Sequence, residues 1–204
     1  MAQQKNIEYT GEELKDHIIS HAIRLINRYG FEHLTMAKIC MAANCTKGMV
    51  LSCFDNLRTV LEASLAASFD HFIQNITLQL KYPEKNRDAA MEIWHQMVIY
   101  TINYPDHANA LAQYLNSAYI FRIDYLRDRL NRVLDSAYDR IGKDLSIRKG
   151  QNIKFVISLY LYRSANHFVS HVYRATANTS ELEQNYFSKY VAPDITKKLS
   201  LPIS

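Results

Sequence analysis

LTMAKICMAANCTKGMVLSCF, residues Leu34 to Phe54, is the stretch whose reading decides the fold. It divides into two short helices around a tight turn. Thr35 is a good N-cap, because its hydroxyl can accept a backbone N–H that the first turn of a helix leaves unpaired. After it, Met36, Ile39, Cys40 and Ala43 fall at helical spacing and make one apolar face. Asn44 stands where a helix C-terminus wants a left-handed residue, a conformation Asn tolerates better than any residue but Gly. Only Cys45 separates it from Thr46, a second N-cap. The helix that Thr46 opens puts Val50, Cys53 and Phe54 inside and leaves Lys47, Met49 and Ser52 to point outward. Helix, short turn, helix with an exposed polar N-terminus is the layout of a DNA-reading helix-turn-helix.

From about Lys15 to Leu61 the chain resembles the N-terminal domain of the TetR family of bacterial transcriptional regulators. The matching pieces are Ala22, Tyr29-Gly30, Leu34-Thr35, Ile39, Ala42-Ala43, Thr46-Lys47-Gly48, Phe54 and Val60-Leu61, at the family's spacing. Asn44 and Cys45 stand where the family usually carries Gly and Val. Leu51, Ser52 and Cys53 replace its usual Tyr, polar residue, then Tyr or His. Leu51 thus takes the place of an aromatic hydroxyl that typically contacts phosphate, and Leu57 that of a common backbone-contacting Lys.

The resemblance implies an all-α chain of two domains. Residues 1–56 would form a three-helix helix-turn-helix DNA-binding domain, and residues 57–204 a helical effector-binding and dimerisation domain. The implied function is a homodimeric, ligand-responsive repressor, released from a double-stranded DNA operator by a small, largely apolar molecule. Lys47, Met49 and Ser52 would face the major groove, with Thr35, Lys38, Thr46 and Arg58 near phosphates. The alternative is a helical interaction module of the same shape that has lost operator binding and acts through a protein partner. Leu51, Leu57 and a nearly neutral head keep that alternative open.

Composition agrees with a helical, soluble chain. Of 204 residues, 48% are hydrophobic and 22% charged, and Gly (5) and Pro (4) are both scarce. Few turn-formers argue for long helices over a β-rich fold. The N-terminus is polar and lacks the apolar core of a signal peptide, and no window has the length and apolarity of a membrane span. Three cysteines between Cys40 and Cys53 read as reduced thiols of a cytoplasmic protein. The formal net charge is +4, yet up to Val60 seven Lys and Arg face six Asp and Glu. DNA binding needs local neutralisation of phosphates more than global charge.

In chain order, residues 1–10 read as a frayed tail. A first helix spans about Gly11 to Tyr29, with Leu14, Ile18, Ala22, Leu25 and Tyr29 as its inward stripe and Gly30 as its stop. His17, His21 and Arg24 share one face, for which a solvated polar face is a plainer reading than a metal pair or phosphate edge. Leu57–Tyr82 reads as a long helix with Val60, Leu61, Leu65, Phe69, Phe72, Ile73, Ile76 and Leu80 buried, broken by Pro83. It is the expected lever between head and body. Helices follow over about Asn86–Asn103, Asp106–Ile120, Ile120–Ile141 and Ile147–Arg174, with a last one from Ser180 to about Tyr190 before Pro193. Ile147–Arg174 and Ser180–Tyr190 are the expected dimer interface, packed as a four-helix bundle with the partner's pair.

No enzyme signature is present: no Gly-rich phosphate loop, Ser-centred elbow or HExxH. Neither a cofactor nor a metal is expected. His167 and His171 are four apart on a helix, but with no third ligand nearby they read as core or pocket histidines. The cysteines read as small buried hydrophobes rather than a redox switch. Tyr, 14 of 204 residues, is concentrated after Tyr82. Trp94, Tyr100, Tyr114, Phe121, Tyr160 and His167 are the expected lining of an amphipathic effector pocket, which His95 or His167 would close.

Overall fold

A computed structural model describes residues 10–79, 86–116, 128, 160–173 and 179–199, and all of its regular structure there is helical. The head comprises α1 (Gly11–Tyr29), a 3-10 turn (Phe31–His33), α2 (Met36–Ala43) and α3 (Lys47–Cys53). The body comprises α4 (Leu57–Gln79), α5 (Asn86–Asn103), α6 (Pro105–Leu115), α7 (160–172), α8 (Thr179–Tyr186) and α9 (Ala192–Leu199). Apart from Asp128, the expected helix Ile120–Ile141 lies outside the described residues, as do residues 80–82 and 147–159.

Helix boundaries follow from local chemistry. Thr10 and Glu13 cap α1 reciprocally: the Thr10 hydroxyl accepts from the Glu13 N–H, and the Glu13 carboxylate accepts from the Thr10 N–H at 2.8 Å. That backbone N–H, with the Thr10 hydroxyl donating to the same carboxylate at 2.9 Å, lowers the Glu13 pKa. Gly30, at φ 88°, ends α1 in a conformation that a side chain resists. Asn56 opens α4, its carboxamide oxygen accepting from the Thr59 N–H at 3.2 Å. Pro105 begins α6, where its missing N–H costs nothing.

Buried side chains form one continuous apolar cluster from Leu14 to Ile195. In α1 the buried residues are Leu14, Ile18, Ala22, Ile23 and Ile26, and Tyr29 is 45% exposed. The expected stripe is therefore wrong at its end. The i+4 step from Ala22 reaches Ile26, so Tyr29 falls beyond the core, with Arg28 and Lys38 each 5.2 Å from its ring centre. In α4 every expected core residue from Val60 to Ile76 is buried.

The C-terminal helices depart from expectation through wide turns. A π-turn over Phe168–Val172 shifts the helical phase, burying Val169 and leaving His171 exposed. Tyr162 is fully buried, and its hydroxyl donates to the Ala108 carbonyl. A second π-turn, Phe187–Val191, carries the chain past Tyr190, the expected end of the last helix, into α9. Pro193 is tolerated there because it occupies the first turn of the new α-helical register.

Head and body meet along two helices. Besides α4, α6 packs on α1 through a polar seam. Asn27 donates to the Asp106 carboxylate, and Asn109 donates to the Asn27 oxygen at 3.0 Å. Gln113 donates to the Ile26 carbonyl at 2.9 Å and accepts from the Phe31 N–H at 3.2 Å. The long helix, the expected lever, is therefore not the sole link between the two parts.

Candidate functional site

The two-helix unit is built by its caps. The Thr35 hydroxyl accepts from the Lys38 N–H at 3.3 Å, and the Thr46 hydroxyl from the Met49 N–H at 3.2 Å. Each hydroxyl keeps its own proton for an outside acceptor. Asn44 is left-handed, at φ 51° and ψ 42°, and the Cys45 N–H closes on the Cys40 carbonyl at 3.0 Å. His17 Nε2 donates to the Ala43 carbonyl at 2.9 Å, tying the end of α2 to α1. The His17–His21 face is thus half-buried and edge-to-face, and burial lowers the His21 pKa. It is not the solvated face its spacing suggests.

On α3, Lys47, Gly48, Leu51 and Ser52 are exposed and Val50 is fully buried. Met49 is half-buried and packs against the core, on the same side as Cys53. The outward set therefore includes Leu51 in place of Met49. The helical period carries this signal, since Lys47 and Leu51 are four apart, as are Met49 and Cys53. Ser52 donates to the Met49 carbonyl at 2.8 Å. Lys38 donates from Nζ to the His33 carbonyl at 2.9 Å, and Arg58 pairs with Glu62 at 2.8 Å on the surface. Lys47 has no side-chain partner among the described residues. All three cysteines are free; Cys45 is buried, which pushes its thiol up, away from reactive thiolate.

The effector candidates fall into separate groups. Trp94 is fully buried, ringed by Phe168, Tyr186 and Phe187, and its Nε1–H donates to Ser164 at 2.9 Å. His167 is exposed, not a core residue, and shares a 3.1 Å hydrogen bond with Tyr186, so Trp94 and His167 meet through that ring. Tyr160 is half-buried and donates to Asp194 at 3.1 Å. Tyr100 belongs to a different group, bonded to His71 Nδ1 at 3.2 Å and packed edge-to-face on Phe72. Tyr114 lies at the seam, stacked on Phe31, with its hydroxyl donating to the Leu61 carbonyl at 2.8 Å. Phe121 lies outside the described residues.

Two histidines that the sequence reading passed over join the Tyr100 group. His71 and His107 stack with centroids 4.2 Å apart, next to Tyr104. Burial lowers both pKa values, and each ring's charge would oppose the other's. They are 36 positions apart on different helices, so no spacing rule links them. His95 is bound instead to buried Glu183 at 2.5 Å, a bond that raises its pKa. Among the described residues no three His, Cys, Asp or Glu gather as a metal site, and no helix is long and apolar enough to cross a membrane.

No family model matches the chain, and no curated protein matches it. Solved structures do. A TetR-family transcription regulator from Marinobacter aquaeolei VT8 aligns over 89% of this chain and 94% of its own, with TM-score 0.68 and 15% identity. A TetR-family transcriptional regulator from Haemophilus influenzae RD aligns over 91% and 96%, with TM-score 0.61 and 19% identity. The fatty acid degradation regulator FadR from Bacillus halodurans aligns over 91% and 95%, with TM-score 0.61 and 15% identity. The likeness spans head and body together, and the chain has the fold of the TetR-family transcription regulators.

Proposed function

We propose that this protein is a cytoplasmic, non-enzymatic, ligand-responsive transcriptional repressor that binds a double-stranded DNA operator as a homodimer. The observation that carries the reading is the capped α2–turn–α3 unit, with Lys47, Gly48, Leu51 and Ser52 on its outer face. A helix held this way by its neighbours can enter a major groove, and a two-fold partner supplies the second half-site. The Thr35 and Thr46 hydroxyls donate to phosphates, and Lys38 and Arg58 lie beside the backbone. Lys47 and Ser52 face the groove, with Met49 at its edge. Residues 1–56 act as the reading head and 57–204 as the effector and dimerisation body. The dimer forms through residues 147–174 and 180–190, whose exposed residues include Arg163, His167, Glu181 and Tyr190.

The effector is a small, largely apolar molecule bound in the body beside one of these aromatic groups, with the Trp94–Tyr186–His167 group as the first candidate and the Tyr100 and Tyr114 groups as separate ones. The likeness to a fatty acid degradation regulator supports an apolar ligand. Such a ligand releases DNA only by binding the non-operator state better, and only by that difference in affinity. With α4 and the α1–α6 seam both joining head to body, either can carry the change. Selection of duplexes from a random library, followed by gel shift at rising salt, tests the DNA reading. A sequence-selected duplex whose affinity falls with salt supports it, and failure to select any sequence overturns it. Compounds that raise the melting temperature are then added to the complex; ligands that stabilise the protein without releasing DNA would remove the inducer from the account. A chain that sediments as a monomer at micromolar concentration would remove the dimer.

A further inference from the structure

We infer that the outer face of α3 reads its half-site chiefly through thymine C5-methyl groups, with Leu51 as the specificity-determining contact. The inference rests on the DNA-binding reading above and narrows it to a chemical class of base contact.

Hydrogen-bonded readout of bases relies on side chains that match base edges, above all Arg or Lys on guanine, Asn or Gln on adenine, and Asp or Glu on cytosine. The seven residues of α3, KGMVLSC, include none of these but Lys47. Ser52 already donates its hydroxyl proton to the Met49 carbonyl. Met49 turns toward the core and Val50 is fully buried. Beside Ser52, which can then only accept, the outer face carries Lys47, Gly48 and Leu51. Leu51 is 42% exposed, an apolar side chain held out from a helix whose inner face packs on the core through Met49, Val50 and Cys53. The apolar feature that the major groove offers is the thymine methyl. Gly48 lies three residues before Leu51 on the same face, and a Cβ there would meet only the Thr46 hydroxyl, at 3.8 Å. The bare backbone lets this turn of α3 come close to the groove floor and seat Leu51 against a methyl.

The test uses the full chain and the duplex that it selects from a random library. Each thymine of the half-site is replaced in turn by uracil, which pairs identically but lacks the methyl. Burial of one methyl predicts a loss of about three- to five-fold at one or two thymines per half-site. Leu51→Ala, at an exposed position, should bind thymine and uracil alike at those positions while keeping the salt dependence of the wild type. Gly48→Ala should also fold and lose the discrimination, because the added methyl lifts the helix from the groove. Uracil tolerated at every position, with binding still sequence-selective and salt-dependent, would overturn this inference alone. Discrimination that survives Leu51→Ala would do the same. Selection of no sequence would overturn the DNA-binding reading and this inference with it.

Discussion

Polar groups do different work in the head and in the body. In the head the caps act locally: Thr10, Thr35 and Thr46 each accept from the N–H three residues on, while His17 reaches from α1 to the Ala43 carbonyl, and the outer face of α3 is left with little internal bonding. In the body they are buried and reach far along the chain. Tyr162 donates to Ala108, Tyr114 to Leu61 and Trp94 to Ser164, while His95 pairs with Glu183. These body side chains thus hold helices together, whereas the outer face of α3 makes little internal bonding. Substitutions in the body should therefore cost stability, and those on α3 should cost binding.

The largest expected effect is at Trp94, which has no exposed surface and touches three other aromatic rings. Trp94→Ala should destabilise the chain by about 3–5 kcal/mol in urea unfolding. A loss under about 1 kcal/mol would mean that the α5–α7–α8 packing is looser than described. Next comes Tyr162→Phe, which removes a buried hydroxyl from the Ala108 carbonyl and should cost about 1–2 kcal/mol. Thr46→Ala removes the cap of α3 and should cost about 1 kcal/mol by the same measurement. Its larger consequence should be weaker DNA binding, since the reading helix frays. Equal loss of stability and no loss of binding would blur the division between the two regions.

The smallest effect is a pH response, and it has opposite signs at two places in the body. Glu183 raises the His95 pKa, so this pair stabilises most fully below the unfolded value near 6.5 and is lost as pH rises through the higher folded value. Burial lowers the pKa values of His71 and His107, so their contribution is present above that unfolded value and is lost as pH falls toward the folded ones. Melting temperatures of the wild type and Glu183→Gln, compared across this range, isolate the first term. The gap between them should be widest in acid and close as pH rises; a gap constant in pH would contradict the assignment.

This division also explains what the sequence made legible. Caps, the left-handed Asn44 and the Gly30 stop depend on neighbours within a few residues, and all of them stand where the sequence places them. The buried edge of α4 is equally plain, because one period governs a long helix. Phase at helix ends is less so: Tyr29 and His171 point outward because α1 runs off the core and a π-turn interrupts α7. Pairings such as His71 with His107, or Asn27 with Asp106, join residues far apart in the chain, and only tertiary packing brings them together. Leu51 was within reach, since its four-residue step from Lys47 puts both on the outer face of α3.

The central claim, that the α3 face binds DNA, is tested most directly by the salt dependence of affinity for the selected duplex, measured for wild type and Lys47→Ala. The account predicts a linear fall of log affinity with log salt and weaker binding by the variant, with a slope smaller by about one per subunit if Lys47 neutralises a phosphate and a loss confined to one base position if it reads guanine. Wild-type and Lys47→Ala proteins that bind with the same affinity at every salt concentration would contradict it.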